Sequence, residues 1–261
     1  MNKADRITKS ERHRRILAKG QDATAVRVSD LADLFGVSTE TVRRDLSELC
    51  EAGKLKRIYG GATAASGALM SPRDSMDKLV TPEVEQVARA AAQRVRPGQT
   101  VKLSDGVIAY EIARLLARTS VNLMVITNSA RIAGAAGQNP TIRAVLSPGN
   151  YVSRDDCVCG EDSIEYLQQF SADVAIIEAK ALTREGPAED TSAAAAVKRA
   201  ILHNAMTRIV VVQRDAWAER AVRRICDLGA LNEIVTSSMS DPAALEYGRR
   251  AGIRISVAEI E

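Results

Sequence analysis

Apolar residues recur along this chain with two different spacings. Near the amino end Val28, Leu31, Ala32 and Phe35 fall at i, i+3, i+4 and i+7, which is one face of a short helix. Gly36 can take the left-handed conformation that stops such a helix, and the chain then turns through Gly36-Val37-Ser38. Ser38 suits the N-cap of a second helix. Its Val42, Leu46 and Leu49 face inward, while Thr39, Glu40, Arg43, Arg44 and Ser47 lie wholly or partly outward, and Gly53 ends it. Further on, apolar runs at 122–127, 142–146, 173–177, 208–212 and 233–236 alternate with alanine-rich helical stretches at 84–95, 108–117, 192–206 and 242–250. Buried strands alternating with helices predict a largely parallel sheet covered on both faces.

Between these patterns, residues 59–82 are rich in Gly, Ala, Ser and Pro and hold no sustained hydrophobic period. The expected organisation is a small module over 1–62, a linker over 63–82 and an α/β domain over 83–261. Within the small module, two short helices meet at a glycine-containing turn, and the second opens with hydroxyls and carries paired arginines. That is what a recognition helix needs for base edges and phosphates. The stretch Lys54-Leu55-Lys56-Arg57-Ile58-Tyr59-Gly60-Gly61 reads as a wing, a hairpin whose Lys56, Arg57 and backbone N–H groups can touch phosphate. The alternative for the same pattern is a helical interaction module with solvated charges.

Composition narrows the classes. The chain has 261 residues, 46% hydrophobic and 26% charged, enough for a packed core. Aromatics are only 3%, so aliphatic side chains must fill it. No run of about 18 apolar residues occurs, and the charged segment 1–10 has no apolar stretch, so a cytoplasmic protein without membrane contact is expected. Cys50, Cys157, Cys159 and Cys226 are too sparse for a disulfide scaffold, and His13 and His203 do not complete a zinc set, so neither metal nor cofactor is expected. Cys157 and Cys159 share one face of a strand and read as packing, and His203, inside the 192–206 helix, reads as structural. The net charge of +3 is uneven: residues 1–80 hold 15 Lys+Arg against 11 Asp+Glu, residues 81–261 hold 21 against 22. The positive excess at the amino end suits a polyanionic partner.

The run from Glu11 to Ala62, with RILAKG, VSTETVRRDLSELCEAGKLKR and a closing GGA, resembles the winged helix of the DeoR family of bacterial transcriptional regulators. Family members usually have His before Gly-Gly-Ala; Tyr59 stands there in this chain and keeps a planar ring with a hydrogen-bonding tip. The resemblance implies that Ser38, Thr39, Thr41, Arg43 and Arg44 read or grip DNA, beside Lys56, Arg57, Tyr59 and Gly60 of the wing. It also implies that the fold is α/β overall: a small N-terminal winged helix-turn-helix, then a larger Rossmann-like sensor domain of the phosphosugar isomerase/coenzyme A transferase type.

The order of the second domain is similar to that family: helix, Pro97-Gly98, strand 100–103, the loop Ser104-Asp105-Gly106, then a helix. A glycine-containing loop entering a helix offers free N–H groups and a positive dipole end to an anion. Thr127-Asn128, Asp173 and Val197-Lys198-Arg199 match as well. The family's usual Asp-Ser-Gly-Thr-Thr is replaced by Ser104-Asp105-Gly106-Val107-Ile108, its Gly-Gly by Ser147-Pro148-Gly149, and its Gly-Ala-Asp-Gly by Glu178-Ala179-Lys180-Ala181. Arg214-Asp215-Ala216-Trp217 lacks a usual lysine.

The candidate ligand residues are Asp105, Gly106, Asn128, Gly149, Glu178, Lys180, Asp190 and Lys198, expected to converge at the carboxyl ends of strands. The expected function is a transcriptional regulator of repressor type. It binds double-stranded operator DNA, forms a homo-oligomer and responds to a small phosphorylated or acidic effector. An isomerase or coenzyme A transferase is the competing class, but an aldose–ketose isomerase needs a carboxylate base, and Lys180 stands where the resemblance puts that aspartate. An effector-independent DNA-binding protein is the third reading. Loss of two hydroxyls at Val107 and Ile108 predicts weak binding of common sugar phosphates, with Lys180 holding a differently placed acidic group.

Overall fold

The computed structural model describes residues 8–22, 26–52, 55–58, 60–64, 76–77, 79–153, 155–217, 221–237, 248 and 250–258. The chain divides into two compact units, 1–74 and 75–261. The first holds α1 (Lys9–Asp22), β1 (Val26–Arg27), α2 (Val28–Phe35), α3 (Thr39–Glu51), β2 (Leu55–Ile58) and β3 (Gly61–Ala64). Val28, Leu31 and Ala32 of α2 and Val42, Leu46 and Leu49 of α3 are buried together with Ile16, Leu55 and Ala62. Gly36, at φ 61°, ends α2 by donating to the carbonyls of Ala32 and Asp33.

The strands pair antiparallel in the order β1-β3-β2. β1 is too short to show any periodicity in the sequence, yet it fixes one residue type: a Cβ on Gly61 would lie 2.0 Å from the Val26 carbonyl oxygen. β3 runs through Ala64, opposite Leu55, so the strand extends into the segment expected as linker. Its residues are small and carry no hydrophobic alternation, which hid it. At the other end of that segment Met76 and Val80 pack against the core of the second unit. Gly53, expected to end α3, lies outside the described residues, and Ala52 caps the helix.

The second unit opens with α4 (Pro82–Ala92), capped by the Thr81 hydroxyl. Then come β4 (Thr100–Leu103), α5 (Val107–Thr119), β5 (Met124–Thr127), α6 (Ala130–Ala136), β6 (Arg143–Leu146), β7 (Asn150–Val152), β8 (Cys157–Cys159), α7 (Glu161–Gln168) and β9 (Ala172–Glu178). β10 (Ala181–Thr183), β11 (Gly186–Glu189), α8 (Ser192–Leu202), β12 (Ala205–Val212), β13 (Arg223–Arg224), β14 (Glu233–Thr236) and β15 (Arg254–Val257) complete it. Seven strands form one parallel sheet in the order β15-β14-β12-β9-β4-β5-β6. β9 sends Val174 and Ile176 to a core shared with α4, α5 and α6, and Ala175 and Ile177 to one shared with α7 and α8. This two-sided burial is what the continuous aliphatic runs require.

Two antiparallel additions, β7-β8 and β10-β11-β13, break the expected strand–helix alternation. α8 stops at Leu202, so His203 caps the helix from outside it, Asn204 takes φ 53°, and Ala205 and Met206 begin β12. Most of the expected helix at 242–250 lies outside the described residues. Asp173 accepts from the Thr100 backbone N–H at 2.8 Å and ties the start of β4 to β9.

Lys102, in β4, is fully buried, and among the described residues no carboxylate pairs with it; its Nζ donates to the His203 carbonyl at 2.8 Å. The carboxyl end of α8 favours a cation there, but burial pushes the Lys102 pKa down to about 8. Between about pH 8 and 10.5 the unfolded chain therefore binds more protons than the folded one, and stability rises with pH across that window. Lys102→Met should flatten this rise, as read from chemical denaturation midpoints of both proteins across the same range.

Candidate functional site

In the first unit the exposed face of α3 gathers most of the predicted DNA residues. Ser38, Thr39, Arg43 and Arg44 are exposed and Thr41 is half-buried. Ser38 Oγ accepts from the Thr41 backbone N–H at 3.2 Å and lies 2.9 Å from Thr41 Oγ1, so the hydroxyls that open the helix also cap it. Arg43 stands 3.5 Å from Glu40, while Arg44 has no partner among the described residues. From β2, exposed Arg57 reaches the Arg43 carbonyl and Ser47 Oγ, both at 3.4 Å, and lays the wing strand against α3. Lys56 occupies β2 opposite Thr63. Gly60, at φ 77°, turns the hairpin, and its carbonyl accepts from Val28 N at 3.0 Å. Tyr59 lies outside the described residues. A helix start rich in donors beside a basic strand can meet base edges with one element and phosphates with the other.

Sequence reasoning missed what holds that face in place. Asp45 shares the inward side of α3 with Val42, Leu46 and Leu49. Its carboxylate accepts from Arg12 Nε at 2.8 Å and Nη2 at 3.1 Å, with His13 Nε2 at 3.1 Å. Burial would raise the Asp45 pKa, yet the hydrogen bonds from Arg12 and His13 hold it below the usual carboxylate value. The signal available was an acid at a core position of α3, matched by the Arg12-His13 pair upstream. Asp45→Ala leaves the Arg12 guanidinium buried without this carboxylate, and should cost about 3–5 kcal/mol in thermal or urea unfolding of the first unit.

In the second unit the chain-order of strands reverses between β4 and β9: β5 and β6 add on one side, β12, β14 and β15 on the other. Loops leaving two such strands separate and open a crevice at their carboxyl ends. A cavity of about 380 Å³ lies there, lined by Gly106, Glu178, Lys180, Glu189, Lys198, Gln213 and Asp215 among others. Lys198, buried on α8, donates to Glu189 at 2.7 Å and stands 3.4 Å from Asp105. Burial alone would lower its pKa, but Asp105, Glu189 and Glu178 outweigh it and keep the ammonium charged well above the ordinary lysine value.

Glu178, the last residue of β9, points its carboxylate at the start of α5. Oε2 accepts from the backbone N–H of Ile108 at 2.7 Å and of Ala109 at 3.2 Å. Its own N–H donates to Ser104 Oγ at 2.9 Å. Burial pushes its pKa up to about 7 against the opposing pull of Lys198 and those two N–H groups. Gly106, at φ 134°, makes room: a Cβ there would lie 2.2 Å from Glu178 Oε2.

Asp105, Gly106, Glu178 and Lys198 thus come together, joined by Glu189 from β11, a short strand the sequence pattern did not resolve, and by Gln213 and Asp215 from the segment after β12. Of the other candidates Lys180 lines the cavity at its rim, and the rest stand apart. Asn128 is fully buried, exchanges hydrogen bonds with Asp105 at 2.9 and 3.0 Å, and donates to the Val158 carbonyl at 3.3 Å, so it ties loops together and does not line the cavity. Gly149 serves backbone contact with β8, where a Cβ would meet the Cys159 carbonyl at 2.7 Å. Lys180 sits half-exposed on the rim, 4.0 Å from exposed Asp190. Cys157 and Cys159 are buried on one face of β8 with sulfurs 3.7 Å apart. Among the described residues no helix is long and apolar enough to cross a membrane.

A winged helix followed by an α/β domain with a polar crevice at its switch point defines a ligand-responsive transcriptional regulator. Residues 12–67 match the DeoR-like helix-turn-helix domain and residues 81–238 match the DeoR C terminal sensor domain. The chain belongs to the DeoR family of transcriptional regulators. It is 27% identical to the glycerol-3-phosphate regulon repressor of Escherichia coli K12 over 89% of this chain and 92% of that one. It is also 27% identical to the transcriptional repressor CsqR of the same organism, over 92% of both chains. Among solved structures, ribose 5-phosphate isomerase A from Neisseria gonorrhoeae aligns with 54% of this chain and 56% of its own at 11% identity and a TM-score of 0.39.

Proposed function

We propose that this regulator is a cytoplasmic repressor that binds double-stranded operator DNA through α3 and the wing, and that a small molecule in the Gly106, Glu178 and Lys198 crevice sets its operator affinity. The observation that carries the DNA reading is the exposed start of α3, with Ser38, Thr39 and Arg44 on one surface and the Arg57 strand packed beside it. Repression as the mode rests on the repressors to which the chain is similar over nearly its whole length. Binding without catalysis is the reading supported by Lys198, committed to Glu189 and Asp105, by Glu178, whose Oε2 is held by backbone N–H groups, and by the resemblance, which puts an isomerase's aspartate at position 180, where this chain has a lysine.

Arg43→Ala and Arg44→Ala, titrated separately on the native operator, should each weaken binding by about 1–3 kcal/mol where the arginine reads a base. Loss of a phosphate contact instead would lower the slope of log affinity against log salt by about one. Unchanged affinity and slope in both variants would remove α3 from the interface.

The working unit is a homo-oligomer assembled by the second unit. One winged helix buries little surface on DNA, and two copies on a repeated site multiply specificity. β6 supports this, being an edge strand of the large sheet that leaves Leu146 exposed. Light scattering of the full chain at micromolar concentration should return at least a dimer, and a monomer would overturn the assignment.

A further inference from the structure

Resting on the crevice as the effector site, we propose that Glu178 is a resident anion. Its carboxylate fills the seat on the α5 N-terminus that a phosphate would take, and the effector is accordingly an unphosphorylated polyol whose hydroxyls donate to the other carboxylate oxygen. Four observations converge on this. Both hydrogen bonds from the α5 backbone fall on Oε2, and among the described residues Oε1 accepts none, so one oxygen faces the helix and one is left for a ligand. The residue is held at both ends: its backbone N–H donates to Ser104 Oγ, and its carboxylate accepts from the Ile108 and Ala109 N–H groups.

The loop fits the carboxylate as well. Gly106 has no side chain where any Cβ would collide with Glu178 Oε2, and Val107 and Ile108 bring no hydroxyl into the first turn. Finally, among the described residues the two lysines lining the crevice are already engaged: Lys198 is shared by Glu189 and Asp105, and half-exposed Lys180 lies on the rim near Asp190. A phosphate entering here meets a carboxylate already seated on the donors it needs, and like charges in a half-buried site repel strongly. A cavity of about 380 Å³ has room for a monosaccharide-sized polyol.

Lengthening the side chain at 178 from nothing to a glutamate closes the seat, so Glu178→Gly should open it. Calorimetry on the full-length protein at about pH 8, where Glu178 is ionised, should give no measurable binding of inorganic phosphate to wild type and at least a tenfold gain in Glu178→Gly. Wild type should bind glucose 6-phosphate no better than glucose, and Glu178→Gly should prefer the phosphate. Sulfate keeps its charge between about pH 6 and 8, and its affinity for wild type should rise several-fold as pH falls across that range and Glu178 takes up a proton. This arm needs no variant and decides the matter if Glu178→Gly does not fold. Tight binding of phosphate to wild type at pH 8, a folded Glu178→Gly that gains no phosphate affinity, or pH-independent sulfate binding would each overturn the resident anion. If the switch in ligand preference occurs but no bound ligand alters operator affinity, the resident anion stands and the effector reading falls.

Discussion

The ammonium of Lys198 is the interaction on which the carboxyl edge of the sheet depends. A buried ammonium is costly unless acceptors or opposite charges meet it, and the two carboxylates that meet this one come from different parts of the chain: Glu189 from β11 and Asp105 from the loop after β4. Satisfying it therefore fixes α8, the small antiparallel sheet and the β4–α5 loop relative to one another. Asn128 extends the same network to β5 and the β7-β8 hairpin by its paired bonds with Asp105 and its bond to Val158. Such clusters add little net stability after desolvation is counted, and their effect here is geometric: they leave each loop one position around the crevice.

The same logic operates in the first unit with the signs exchanged. Asp45 is the buried charge and Arg12 and His13 are its partners, so α1 is clamped across the inner side of α3 while the outer side stays open. The wing is added by backbone constraint. Gly61 lets β1 approach closely enough to pair, and Arg57 reaches over to the α3 carbonyl and Ser47. A recognition surface made of exposed side chains is thereby mounted on a packed, ion-paired support.

Elements with a long apolar period were legible in the sequence because burial imposes that period: α2, α3 and the parallel strands β5, β9 and β14 lie where the aliphatic runs do, within a residue or two, and β12 begins three residues before its run. What escaped has a different physical origin. β1 and β3 are defined by glycine-enabled backbone pairing, and β10, β11 and β13 are short strands in which side-chain alternation never develops. The crevice was legible only in part. Asp105, Gly106, Glu178 and Lys198 follow from matching loops at strand ends, but Glu189 depends on the small sheet, and the exposure of Lys180 depends on which way a strand end turns.

The contrast between Glu178 and Lys180 shows why a gain of charge cannot be located from sequence alone. Both are new charges in one short stretch, and Lys180 looked the more consequential because a cation suits an acidic ligand. A lysine on the rim, however, has a long stem and reaches water at little cost, whereas Glu178 ends a central strand and is aimed at the α5 start by the pleat and by Ser104. The inward charge is the negative one. With Glu178 protonated, Lys198, Glu189 and Asp105 sum to one negative charge, and ionisation near pH 7 makes it two. In neither state does the inner crevice become positive. Lys180 lines the same cavity from its half-exposed rim beside Asp190, so selectivity against anions is set chiefly by the protein's own inward carboxylates and is strongest when Glu178 is ionised.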